Sequence, residues 1–502
     1  MQAMTFVACS VPPGPTAGCT RQLQQQSAAS QQTFSNRSSW TVCCCTLTST
    51  AATSTACLIL HQLPPSLQLC SYNLLSLWSV ILHQLPPSLQ LSSLQLQGLR
   101  LQLLPGEEGF QGVLGAAAAV AALKMLRLRD CRLTDGEKGL AAALSPLSAV
   151  LEHLSISNVN FHGQPVGVPT AMLQQMQQLT YLELASISAE GPDRASPALQ
   201  PLQALTRLVD LRLDNPGKGG DRPLVTESML SGMQHLTRLE LCQVVLEPDA
   251  LATKPQLQHL QLITSYTDGA ATAGIVQLLW RLQDLQQLTH LDLTGTLRAY
   301  GMEFGNPADD GSDTYQERVS APAAAYTALT ASSKLQYLNI TNCTLPVGVW
   351  QHVFPAGRQL PHLQTLLMAG ITWPSGLSAT APEGIGSCCP GLQHLDMTGM
   401  QGIDQLLAPL QELSGLHTLH LAPASFAFDD PFEPERFVAV CQLTGLRELS
   451  LHTLYTPTTR EGLLRPLTQL QQLTRLEYEG EVYEEVKFIS NKGFIFCSKV
   501  SA

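Results

Sequence analysis

Hydrophobic side chains recur along this chain in one short phrase, Leu-x-x-Leu-x-Leu, rather than in long stripes. The clearest copy is Leu123, Leu126, Leu128, and further copies start at Leu151, Leu179, Leu208, Leu236, Leu257, Leu288, Leu335, Leu363, Leu392, Leu416, Leu446 and Leu473. Ile156, Ile340, Met368, Met397 and Tyr478 replace the last leucine in five of them, and a weaker copy opens at Leu96. The phrase predicts a short strand whose second and third apolar positions point inward, while the residues flanking the second point outward. Between strands, Met172, Leu173 and Met176, then Met229, Leu230 and Met233, then Leu463, Leu464, Leu467 and Leu470 have helical spacing. Thr170 and Thr226 stand where helix N-caps belong.

Starts fall 21 to 31 residues apart, with one 47-residue interval. A unit of that size cannot cover its own apolar face, so only stacked neighbours make it stable. Strand, helix and parallel strand form a right-handed crossover. The expected fold is α/β: a leucine-rich repeat solenoid, a curved horseshoe with parallel strands on the concave face and helices or turns on the convex face. The copy lengths are similar to those of ribonuclease-inhibitor-like and cysteine-containing leucine-rich repeat proteins. The phrase Gln287-Leu288-Thr289-His290-Leu291-Asp292-Leu293 is similar to repeats common in green algal proteins. One departure stands out. The family's Asn or Cys position holds Cys131 and Cys343, but elsewhere Val159, Ile187, Pro216, Val244, Ile371 and Met400, so irregular turns are expected.

Four segments follow. Residues 1–57 are Ser/Thr-rich and expected to be disordered; 58–95 form a degenerate N-terminal cap; 96–480 form the solenoid, with an inserted loop near 299–325; 481–502 form a C-terminal cap. The cap at 58–95 carries HQLPPSLQL twice, from His61 and from His83, either as a degenerate first repeat or as a duplication. Val486, Phe488, Asn491-Lys492-Gly493, Phe494 and Phe496 read as a hairpin.

Charge changes the picture only moderately. The net charge is −11, and residues 1–106 carry three Arg and no acid, so the body is the acidic part. That argues against nucleic acid as a partner, because counterion displacement needs clustered Lys and Arg. No secretory signal is visible, and the greasiest window, Leu74 to Leu82, is far short of the roughly twenty residues of a membrane span. No membrane association is expected, and the chain is expected to be a monomer in a cytoplasmic compartment with reduced thiols and bare Asn339 and Asn342 sequons. The algal resemblance extends that to the cytoskeleton or ciliary axoneme; organelle targeting is a lesser alternative.

Catalytic motifs are missing. The glycines at 106, 109, 112 and 115 and the run Pro216-Gly217-Lys218-Gly219-Gly220 lack phosphate-loop order. His259 and His290 share a row of strand positions with Asp292 beside them in the next row, and solvated side chains explain them better than a metal. Asp309, Asp310 and Asp313 lack calcium-loop order. No enzyme activity and no cofactor or metal is expected. What remains is a surface: Arg127, Arg129, Tyr181, Arg212, Arg238, His259, His290, Asp292, Tyr337, Asp396, Glu448 and Glu477 form a candidate partner-binding stripe on the concave face. Lys124, Arg127, Arg129 and Arg132 open it, and Glu448, Glu477, Glu479 and Glu481 close it. The expected function is a non-enzymatic protein-interaction scaffold with a protein partner. The alternative is the substrate-recognition subunit of an SCF-type ubiquitin ligase, because similar solenoids often follow an F-box. Its only place would be Leu63 to Leu91, whose Pro-Pro pairs and lack of charge fit badly.

Overall fold

A computed structural model describes residues 40–43, 66–70, 93–97, 100–101 and much of 123–499. Outside the description lie, among others, 1–39, 186–198, 216–221, 298–320, 374–383, 401–406, 424–438 and 452–465. The chain forms two compact units: residues 1–223 with 232–235, and residues 224–231 with 236–502.

In the first unit, β1 (Trp40–Cys43), β2 (Ser66–Cys70), β3 (Ser93–Gln97), β4 (Met125–Arg129), β5 (His153–Ser157), β6 (Tyr181–Ala185) and β7 (Asp210–Asp214) pair in chain order, all parallel. Pairing places each copy of the phrase on the same copy position of the next. Leu126 faces Leu154, Leu154 faces Leu182, and Leu182 faces Leu211. The pairing has no break at residue 96, where the solenoid was expected to start. β1 falls inside the segment expected to be disordered, and β2 is the SLQL end of the first HQLPPSLQL copy. The second copy lies outside the described residues.

The second unit repeats the plan. β8 (Arg238–Cys242), β9 (His259–Ile263), β10 (His290–Asp292), β11 (Tyr337–Asn339), β12 (Thr365–Leu367), β13 (His394–Met400), β14 (Thr418–Pro423), β15 (Glu448–Leu451) and β16 (Arg475–Tyr478) run parallel in chain order. The expected terminal hairpin forms: β17 (Glu481–Ile489) lies antiparallel on β16, and β18 (Phe494–Lys499) antiparallel on β17. An antiparallel hairpin ends a parallel ladder without requiring another crossover.

The inward leucines are buried as the phrase predicts, with Leu260, Leu338 and Leu366 at 0% exposure. The opening leucine of each copy is buried as well, as at Leu123, Leu179, Leu236 and Leu363. After eight of the described strands the chain turns a left-handed corner at the same place, the second residue past the last apolar position. Asp130, Asn158, Gln243, Thr264 and Asn342 take positive φ there, as do Gly295, Gly370 and Gly399. The corner amide donates to a carbonyl of the following coil: Asp130 to Ser157 at 3.0 Å, Thr264 to Thr294 at 2.7 Å, Asn342 to Ala369 at 2.7 Å. The turns are therefore more regular than the residue types suggest. Beyond the corner, two-residue strands build small secondary ladders, one from Arg100–Leu101, Arg132–Leu133 and Asn160–Phe161, another from Leu224–Val225, Val245–Leu246 and Tyr266–Thr267.

The position held by Asn or Cys in the family is divided. Cys343 Sγ donates to the Leu293 carbonyl at 3.2 Å, and Thr296 Oγ1 to the Leu262 carbonyl at 2.5 Å, so these two coils are tied by equivalent bonds. Val159, Val244, Ile371 and Met400 instead pack their side chains into the core. Thr296 is neither Asn nor Cys, so only the hydrogen bond reveals its role.

The opposite side is less helical than the apolar spacing implies. Met172, Leu173 and Met176 are buried, but the helix around them is only Thr170–Leu173; Met229 and Leu230 sit in Glu227–Ser231. Thr226 holds the cap place of the latter with its carbonyl, which accepts from Met229 and Leu230, while its hydroxyl pairs with that of Ser228. Several crossovers are 3-10 turns, and four of those described have proline in their first two positions: Ser145–Leu147, Gln200–Ala204, Pro248–Thr253 and Pro466–Gln469. Length decides this. A copy of 21 to 29 residues leaves one or two turns after its strand and corners. The 31-residue copy from Leu257 to Leu288 has room for α1 (Ala271–Asp284), a helix of 14 residues.

Candidate interaction face

Alternation along each strand sends every second side chain away from the core. In the first unit this outward face carries Arg127 and Arg129 on β4, both exposed. Arg129 lies 3.6 Å from Asp130, and Lys124, just before the strand, pairs with Glu152 at 2.7 Å. Arg132 does not belong to this face. It starts a two-residue strand past the corner, in the secondary ladder, because the left-handed turn at Asp130 redirects the chain first.

Further along, the outward positions build a mixed cluster. Arg212 grips Asp210 through two bonds, at 3.2 and 3.1 Å, and its guanidinium carbon stands 5.2 Å from the centre of the Tyr181 ring. Tyr181 donates its hydroxyl to Glu183 at 2.8 Å, as Ser155 does, also at 2.8 Å. Burial, reinforced by that bond to the carboxylate, raises the Tyr181 phenol well above its ordinary range. The tyrosine therefore stays a neutral donor.

In the second unit, the row expected to read Arg238, His259, His290, Tyr337 is an aromatic stack. The His259 and His290 rings lie 3.9 Å apart at 13°, and the His290 and Tyr337 rings 3.9 Å apart at 5°. Adjacent strands set this spacing, since the three residues face one another in register. Burial holds the His290 pKa down to about 4, helped by the positive potential of His259 and Arg238. His290 is thus neutral at physiological pH, which suits ring-on-ring packing. Glu240 closes the end of the stack: Arg238 donates to it from Nε at 2.7 Å, and His259 Nε2 lies 3.3 Å from it.

Asp292 stands in the adjacent row, in register with Gln261 and Asn339. It is 6% exposed, accepts from the Thr294 amide and hydroxyl at 3.0 and 2.7 Å, and receives the Asn339 amide at 3.1 Å. Its carboxylate organises the turn after β10 and the neighbouring strand, which lessens its capacity to meet a partner. Asp396 is partly exposed, anchored by the Thr398 amide at 2.9 Å and 3.9 Å from His420. Glu448 lies 3.8 Å from Arg475, and Glu477 follows on the same outward face. Glu479 lies outside the described residues, and Glu481 opens the antiparallel β17 instead of the parallel ladder. The glycine run at 106–115, the run at 216–220 and the acids of the inserted loop also lie outside the described residues.

Among the described residues, no group of three or more His, Cys, Asp or Glu is arranged to hold a metal ion, and no helix is long and apolar enough to cross a membrane. Cys389 and Cys441 are buried thiols whose pKa is pushed up to about 12 by burial, which leaves them poor nucleophiles.

No family model and no curated protein matches this chain in sequence. Several solved structures are similar to it. An internalin from Listeria monocytogenes is 17% identical, with 72% of this chain and 81% of that one covered at a TM-score of 0.42. A leucine-rich repeat protein from Leptospira interrogans is 16% identical, with 85% and 97% covered at 0.46. TLR13, solved as a complex with a single-stranded RNA, is 13% identical, with 83% and 55% covered at 0.42. The in-register leucines, the parallel strands and the fixed left-handed corners make each unit of this chain a stack of leucine-rich repeat coils.

Proposed function

We propose that this protein is a non-enzymatic interaction scaffold that binds a protein partner through the outward, concave face of its strands. The observation that carries this reading is the polar, in-register outward row laid over a fully buried leucine core. Nine parallel strands in the second unit, spaced about 4.8 Å apart, give a face roughly 40 Å long. That is enough for the ~800 Å² per partner of an ordinary interface. Tyr and Arg, the types enriched at interface hot spots, lie at Tyr181, Arg212, Arg238 and Tyr337.

Two charge reversals test it in affinity purification from the native source. Arg127 and Arg129 changed to Glu, and separately Glu448 and Glu477 changed to Lys, alter exposed or half-exposed outward charges and leave the core alone. We expect at least one pair to reduce recovery of the partner tenfold or more; full recovery by both overturns the reading. The ubiquitin-ligase alternative gains no support from residues 63–91, whose described part is the strand β2. Binding of a Skp-type adaptor would revive it.

A further inference from the structure

We propose that the outward face between Tyr337 and His394 is a receptor for an arginine side chain on a basic segment of a partner protein. The inference rests on the reading of this face as the binding face and names the chemistry it selects. Tyr337 has one ring face covered by His290, at 3.9 Å and nearly parallel. Its other face looks toward β12, where the residue in register is Thr365, too short to cover a ring. The next residue along the row is the exposed His394. Two strand spacings separate Tyr337 from His394, roughly 10 Å. A planar group stacked on both rings at the row's own 3.9 Å spacing needs roughly 8 Å. The gap fits one flat group.

The first unit shows which group. There Tyr181 is followed on the next strand by Asp210, its register partner, and by Arg212, which places its guanidinium 5.2 Å over the ring while Asp210 holds it from the side. The positions equivalent to Asp210 and Arg212 beside Tyr337 are Thr365 and Leu367. Neither supplies a cation, and the half-buried Leu367 offers an apolar floor suited to an arginine stem. The missing carboxylate has a counterpart one strand further on. Asp396, on β13 beside His394, is a quarter exposed and has acceptor capacity beyond the Thr398 amide that anchors it. Arginine matches this arrangement better than lysine, because its planar guanidinium stacks on a ring and forks onto a carboxylate together. The surrounding outward charges, Glu240, Asp396, Glu448 and Glu477 against Arg238 and Arg475, favour a basic segment.

Titration of the full-length protein with a twelve-residue Gly/Ser peptide carrying three arginines, and with its lysine counterpart, tests the proposal. We expect the arginine peptide to bind at least tenfold more tightly. The double variant Thr365→Asp, Leu367→Arg, which copies the built-in pair of the first unit into the slot, should remove that preference. Tyr337→Leu, a second variant that leaves the slot open but ringless, should do the same. Equal binding of both peptides, no binding up to millimolar peptide, or an unchanged preference in the double variant overturns the proposal. If native-partner recovery falls with the charge reversals above but not with the double variant, the arginine slot is wrong while the binding face stands.

Discussion

Lys254 occupies a place that other coils fill with an apolar side chain. Three residues before the opening leucine stand Met176, Leu205, Leu285, Leu360 and Leu413, all buried, whereas Lys254 is 1% exposed with its amine 3.5 Å from the Ser231 carbonyl. Burial lowers its pKa. Lys254→Met should therefore stabilise the protein by about 1–2 kcal/mol at neutral pH. The sign with pH follows from linkage. A lysine whose folded pKa lies below its unfolded 10.5 carries its full penalty below the folded pKa, and the penalty fades as pH rises to 10.5. The advantage of methionine should shrink in urea titrations run at increasing alkaline pH. His290 acts at the other end of the scale. Its folded pKa of about 4 lies below the ordinary 6.5, so the unfolded chain takes up the proton first, and stability falls as pH drops from 6.5 to 4. The urea midpoint of His290→Gln should fall less between pH 7 and 4.5 than that of the unaltered protein. An equal fall in both would mean that the stacked ring is not what resists the proton.

At the scale of the coil, the corner residue decides regularity. Gly370 has φ +62° and sits against Asn342, the corner of the previous coil. Gly370→Ala should cost about 1–2 kcal/mol from the left-handed backbone alone, read as a lower thermal midpoint, whereas Asn342→Gly should be close to neutral, since Asn already tolerates that conformation. The inward leucines were legible because burial demands the same residue type in every coil. The corners were not, because Asp, Asn, Gln, Thr and Gly, five residue types in all, satisfy one backbone requirement. The same blindness hid the threonine after the opening leucine: Thr180, Thr289 and Thr474 each donate a hydroxyl to a carbonyl of the preceding coil, Glu152, Gln258 and Arg447. Helix length escaped the apolar spacing for another reason. Met172, Leu173 and Met176 are buried as their spacing suggests, but a single turn is enough to bury them, so the stripe reports a buried side rather than a long helix. In the candidate face, the row from Arg238 to Tyr337 could be read from copy register, while the ring stack, the burial of Asp292 and the removal of Arg132 to a secondary ladder depend on geometry past the strand.

At the scale of the molecule, each unit divides its chemistry between two sides. The strand side presents charged and aromatic groups in register; the crossover side presents short turns, α1 and the exposed Trp280, 63% accessible. A scaffold that works through its strands should engage its partner on the first side and leave the second free. Photo-crosslinking distinguishes them most directly: p-benzoylphenylalanine placed at His394 on the strand face, or at Gln283 on α1, followed by irradiation in the native source and purification. A discrete covalent adduct is expected from position 394 and none from position 283. An adduct formed only from position 283 would contradict it, and would move the binding surface to the helix side.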